Sequence, residues 1–80
     1  MNKNDLKQKL NSSNIPKDTY SLEGGLPNEA YCINQNEDKW EVYYSERGQK
    51  SGLKIIDSEE EACEYFYQEL IEMLKDMGIL

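Results

Sequence analysis

The stretch EAYCINQNEDKWEVYYSERGQKSGLKII, residues 29–56, decides the fold. Side chains alternate across a β-strand with a period of two. Over residues 29–35 this puts Tyr31 and Ile33 on one face and Ala30 and Cys32 on the other. Over residues 40–46 it puts Trp40, Val42 and Tyr44 on one face and Glu41, Tyr43 and Ser45 on the other. The first set is the more apolar and is expected to face the core. Residues 36–39, Asn-Glu-Asp-Lys, read as a polar turn. Residues 47–52 read as a second turn, and Leu53, Lys54, Ile55 and Ile56 as the last strand. Connections this short favour antiparallel neighbours in a meander.

The segment after these strands changes period. Ala62, Cys63, Phe66, Leu70, Met73, Leu74 and Met77 recur at helical spacing and share one face. Ser58 with Glu61 forms the sequence of a capping box, and Gly78 suits a helix stop. Residues 58–77 are therefore expected to form an amphipathic helix of about five turns. It is expected to cross one sheet face, with Phe66, Leu70 and Met73 against Trp40, Val42 and Ile55. Upstream, Leu6 and Leu10 mark a short helix over residues 3–13, which Pro16 ends. Thr19 to Leu22 is a further short strand candidate. Gly24, Gly25, Pro27 and Asn28 make a turn-rich loop. The expected fold is a single α+β domain over residues 1–80. It has a short N-terminal helix, a three- to four-stranded antiparallel meander and a long C-terminal helix packed on one sheet face.

Composition narrows the function. The chain has 80 residues, 38% hydrophobic and 31% charged, which is enough for one small core. No apolar run approaches a membrane span and no secretory leader is evident, so a cytoplasmic location and no membrane partner are expected. Histidine is absent, which removes the commonest general base and the commonest zinc ligand. A net charge of −7 argues against binding nucleic acid. Cys32 and Cys63 form no CxxC pair and are expected as free, buried thiols. The glutamates around Cys63 should raise its pKa rather than activate it. Gly24-Gly25 lacks the Lys-Ser/Thr of a phosphate loop, and residues 57–61 lack the alternating ligands of a calcium loop. No catalytic residue, cofactor or metal site is expected.

The distribution of charge says more than its total. Residues 1–56 hold eight acidic and eight basic residues, whereas residues 57–80 hold eight acidic residues and one lysine, Lys75. Glu60, Glu61, Glu64 and Glu72 fall opposite the Phe66 stripe. They form either a solvated face or a docking surface for a basic partner. A second candidate surface is the other face and hairpin end of the sheet: Glu29, Glu41, Tyr43 and Arg47. Arg47, the only arginine, either pairs with Glu46 or Glu41 or anchors a partner. Tyrosine and arginine are favoured at interfaces, and Tyr43 is expected to point away from the core.

Three groups of residues together resemble a known family. These are Tyr20, Leu22, Gly24, Gly25, Asn28 and Glu29; the string Trp40 to Gly48; and Ser58-Glu59-Glu60-Glu61-Ala62-Cys63 with Tyr65 and Phe66. They resemble small bacterial immunity proteins of polymorphic toxin systems. The resemblance spans about residues 20–70, and the Trp40 to Gly48 string is its most specific part. It implies a non-enzymatic protein that binds and neutralises a cognate toxin domain, and it assigns no individual toxin contacts. Many such toxins are nucleases, whose basic substrate grooves would suit an acidic inhibitor. A small acidic regulatory module that binds some other protein fits the composition as well. The position of the gene beside a toxin gene would separate the two.

Overall fold

The computed structural model describes residues 1–80. Its elements run α1 (Lys3–Asn11), a single 3-10 turn (Lys17–Thr19), β1 (Tyr20–Ser21), β2 (Ala30–Asn36), β3 (Lys39–Glu46), β4 (Gln49–Ile56) and α2 (Glu59–Asp76). The strands form one sheet in the order β1-β2-β3-β4. The α+β expectation holds in its element types and order, with α2 packed on one sheet face.

Two features of the sheet differ from the sequence reading. The sheet is mixed rather than purely antiparallel: β2-β3-β4 is an antiparallel meander, but β1 runs parallel to β2, with Tyr20 beside Tyr31 and Ser21 beside Cys32. Parallel pairing ordinarily needs a long crossover. Here β1 is two residues long, so the loop 22–29 has little distance to retrace. The turn read at 47–52 is also shorter than expected. Only Arg47 and Gly48, both at positive φ, lie between β3 and β4, as suits a two-residue hairpin.

The lengthened β4 carries a bulge. Val42 pairs with Lys54 and Tyr44 with Ser51, so Tyr43 faces two residues, Gly52 and Leu53. Gly52 has φ +63°, the left-handed conformation that a glycine bulge requires. A regular ladder counted from the Arg47-Gly48 turn would set Ile55 opposite Trp40. The extra residue sets Ile56 there instead and places Ile55 opposite Glu41. Ile55 therefore lies on the sheet's second face, 54% exposed, and not in the core as its sequence suggested.

The core lies between the first sheet face and the two helices. Leu6, Leu10, Ile15, Ile33, Trp40, Val42, Ala62, Cys63, Phe66, Leu70 and Leu74 form one cluster. Phe66 is fully buried, and truncating such a residue to alanine costs about 3–5 kcal/mol. Tyr44 and Met73, expected inside, are only half-buried at the rim, and Met77 is exposed. Local sequence fixes the helix ends. At α1, Asn2 Oδ1 accepts the Asp5 N–H at 2.8 Å and Asp5 Oδ2 accepts the Asn2 N–H at 3.4 Å, a full capping box. At α2, Ser58 Oγ accepts the Glu61 N–H at 3.1 Å, but the reciprocal bond expected from the sequence is not made. Glu59 reaches α1 instead, its Oε2 accepting the Lys3 N–H at 2.7 Å. Past α2, the Ile79 N–H donates to the Leu74 carbonyl at 2.9 Å and the Gly78 N–H to the Lys75 carbonyl at 3.0 Å, closing the helix in a Schellman turn. No helix is long and apolar enough to cross a membrane.

Candidate protein-binding site

The second sheet face is not the open surface that the sequence suggested. Residues 22–29 fold back across it and bury Ala30, Cys32, Tyr43 and Ser45. Tyr43, expected to be exposed, is completely buried, and its hydroxyl donates to the Gly25 carbonyl at 2.6 Å. Ser45 Oγ donates to the Pro27 carbonyl at 2.6 Å. Gly24 passes so close to the sheet that a Cβ there would lie 2.7 Å from Asn34 Cγ. The loop thus closes a small second core over the β2-β3 part of this face, while Ile55 on β4 stays exposed.

Glu41 is committed to the same internal network. It is 8% exposed, and its Oε1 lies 3.2 Å from Lys50 Nζ and 3.4 Å from Asn34 Nδ2. Burial pushes the Glu41 carboxyl up, but the Lys50 ammonium and the Asn34 amide together outweigh it and hold the pKa below the ordinary glutamate value. Lys50 also sits over the Tyr43 ring, 4.7 Å from its centroid. Lys50 takes the partner that Arg47 was offered. Arg47 makes no ion pair and stands exposed at the β3-β4 turn beside Glu46 and Gln49. Of the four sheet residues singled out, only Glu29 and Arg47 are accessible to a partner.

Glu59 of α2 is turned to α1, and the helix's other six acids divide between two grooves. Glu60, Glu61 and Glu64 line the first, with Lys54, Ile56, Tyr65 and Gln68. Lys54 lies over the Tyr65 ring at 6.0 Å. The second groove, of about 440 Å³, opens at the C-terminal half of α2. Its floor is Tyr31, Tyr44 and Met73, and its acidic wall is Glu69, Glu72 and Asp76. Tyr31 and Tyr44 are direct cross-strand partners with ring centroids 6.3 Å apart, and Tyr31 leans on Phe66 at 5.6 Å.

The electrostatics of the two grooves differ. The first groove holds Lys54 and the Met1 ammonium, which pairs with Glu64 at 3.8 Å while Glu60 and Glu61 stay unpaired; the second has no cation in its lining, and Glu69, Glu72 and Asp76 make no ion pair. Burial, then the nearby Tyr65 and Glu69, raises the Tyr31 pKa well above its ordinary value. Burial, then Glu29 and Glu46, raises that of Tyr44. Glu29, just before β2 at φ +53°, stands beyond Tyr44 in a third depression that shares Tyr44 and Met77 with the second.

The structure thus keeps Glu60, Glu61 and Glu64 together, moves Glu72 to the neighbouring groove, and separates all four from Glu41 and Tyr43. Tyr31, Tyr44, Glu69 and Asp76, which line the second groove, were not among the candidates read from the sequence. A signal was present: Glu69, Glu72 and Asp76 are spaced three and four apart, so they share a helix flank. No three or more cysteine or acidic side chains converge to hold a metal ion. No protein-family model, curated protein or solved structure matches the chain.

Proposed function

We propose that this protein is a non-catalytic inhibitor, an immunity protein of the polymorphic-toxin kind, which binds and neutralises a cognate toxin domain with a basic surface. The observation that carries the reading is the row of unpaired α2 carboxylates, Glu69, Glu72 and Asp76, beside half-buried tyrosines. Carboxylates left without cations on the protein itself can receive them from a partner, and tyrosine supplies contact area at low entropic cost. The resemblance over residues 20–70 supports the toxin as that partner. Glu60, Glu61 and Glu64 in the first groove would steer the encounter more than they add affinity.

The test is co-expression with the C-terminal domain encoded by the adjacent upstream gene. The expected result is rescue of growth and a complex that survives purification. Changing Glu60, Glu61, Glu64 and Glu72 together to glutamine should slow association more than it speeds dissociation, and added salt should imitate it. Growth arrest unrelieved by this protein, with no complex, overturns the toxin reading. Stable capture of a non-toxic neighbour instead establishes a regulatory binding module.

A further inference from the structure

We infer that the groove floored by Tyr31, Tyr44 and Met73 and walled by Glu69, Glu72 and Asp76 is the docking site for an arginine-bearing basic segment of a partner protein. This rests on the reading of the chain as a binding protein and locates the interface more narrowly than that reading does. The argument is charge complementarity on an apolar floor. The three carboxylates share the flank of α2 beside Tyr31 and Tyr44 of the inner strands β2 and β3, and no cation of the protein pairs with any of them. Mutual repulsion of like charges at this spacing is mildly unfavourable in the free protein, and a bound cation would relieve it.

The floor specifies the kind of cation. Tyr31 and Tyr44 are tilted against each other by 48° and half-buried, so each presents part of a ring to the groove. A planar guanidinium can stack on a tyrosine ring while its N–H fork reaches a carboxylate. A lysine ammonium offers the charge without the fork. Met73 is half-buried beside the rings, and its unbranched side chain adapts to irregular shapes. The first groove lacks this combination, because Lys54 already lies over Tyr65.

The test uses the intact protein and needs no knowledge of the natural partner. A short Arg-Gly repeat peptide is titrated into isotopically labelled protein, with Lys-Gly and Glu-Gly peptides in parallel. The expected result is amide shifts confined to residues 69–77, 31 and 44, with the arginine peptide bound more tightly than the lysine peptide and the glutamate peptide not bound. Glu69→Gln, Glu72→Gln and Asp76→Asn together should weaken the arginine peptide by about ten-fold or more, about 1.4 kcal/mol. Glu37→Gln, Asp38→Asn and Asp57→Asn remove the same charge at the opposite end of the sheet and should leave binding within about two-fold. Equal losses for the two triple variants, or shifts centred elsewhere, overturn the proposal. So does a protein that dimerises through this groove in the absence of peptide. Failure to capture a toxin with the peptide result intact refutes the immunity reading alone. A toxin captured while the Glu69, Glu72 and Asp76 variant binds it normally refutes the groove alone.

Discussion

The Tyr43 hydroxyl donates a 2.6 Å hydrogen bond to the Gly25 carbonyl, which ties the middle of the longest loop to the middle of the sheet. With the Ser45 to Pro27 bond and the close pass of Gly24 over Asn34, it makes the 22–29 loop part of the structure. Tyr43→Phe keeps the packing and removes one hydrogen bond, so a loss of about 1 kcal/mol is expected in denaturant titration. Tyr43→Ala also opens a cavity beneath the loop and should cost about 3–5 kcal/mol. Limited proteolysis should then cut within residues 22–29. An alanine variant as stable as the parent would remove Tyr43 from the core.

Most of the architecture was legible because period signals are strong. The Leu6/Leu10 pair, the alternation across 40–46 and the Phe66 stripe each name an element without ambiguity. What was not legible depends on long-range contact. Tyr43 alternates away from Trp40 and Val42, and alternation alone cannot tell a solvated second face from one that a loop covers. The parallel partner of β2 is likewise set by the path of that loop. In the candidate site, α2 placed its own acids on a flank, but only the packing angle of the helix brings Glu69 and Asp76 beside Tyr31 and Tyr44. The Tyr31 and Tyr44 side chains do point to the helix side as the alternation indicated. They are left half-exposed where the helix flank beside them carries Glu69, Glu72 and Asp76 along with Met73.

Acid should destabilise the protein through Glu41. Its folded pKa is held below the ordinary glutamate value by Lys50 and Asn34. A depressed carboxylate pKa contributes stability that is present above the unfolded value, about 4.3, and is lost as the pH falls through the folded value. Stability should therefore fall more steeply below about pH 4.3 in the parent than in Glu41→Gln. Lys50→Met leaves the buried carboxylate with only the neutral amides of Asn34 and Asn36 beside it and should cost about 1–3 kcal/mol at neutral pH. Thermal melts between acid and neutral pH read both effects, and parallel curves for the parent and Glu41→Gln would disprove the assignment.

The two thiols should be chemically silent. Cys32 and Cys63 are both free and fully buried, Cys32 on the second sheet face and Cys63 on the helix packed against the first. Burial pushes Cys63 up to about 11, with Glu59 and Glu64 adding to it, and burial raises Cys32 as well. The sequence pointed to the glutamates, but removal from water is the larger cause. An aromatic disulfide reagent near pH 8 should react with neither cysteine in the folded protein and with both in denaturant. Rapid reaction of one thiol without denaturant would show that its side of the sheet opens locally.

Gly52 holds the bulge that, with eight residues in β4, sets Ile56 opposite Trp40, and the role of the bulge can be tested by deletion. At φ +63° any other L-residue is strained, although a Cβ there would meet nothing within 4 Å. Gly52→Val should therefore cost about 1–2 kcal/mol from backbone strain alone, with Gly52→Asn costing less. Deleting Gly52 acts differently. The ladder then becomes regular, with Leu53 opposite Tyr43 and Ser51 opposite Tyr44, and Ile56 keeps its place opposite Trp40. Lys50 also stays beside Glu41, since the register on the turn side is untouched. The deletion should fold, with the emission of the single tryptophan unchanged. Deleting Lys54 instead keeps the bulge but brings Ile55 opposite Val42 and Ile56 opposite Glu41, which strips Trp40 of its neighbour. That variant should lose much more stability than the Gly52 deletion. Equal stability for the two deletions would mean that the bulge does not set the register of β4.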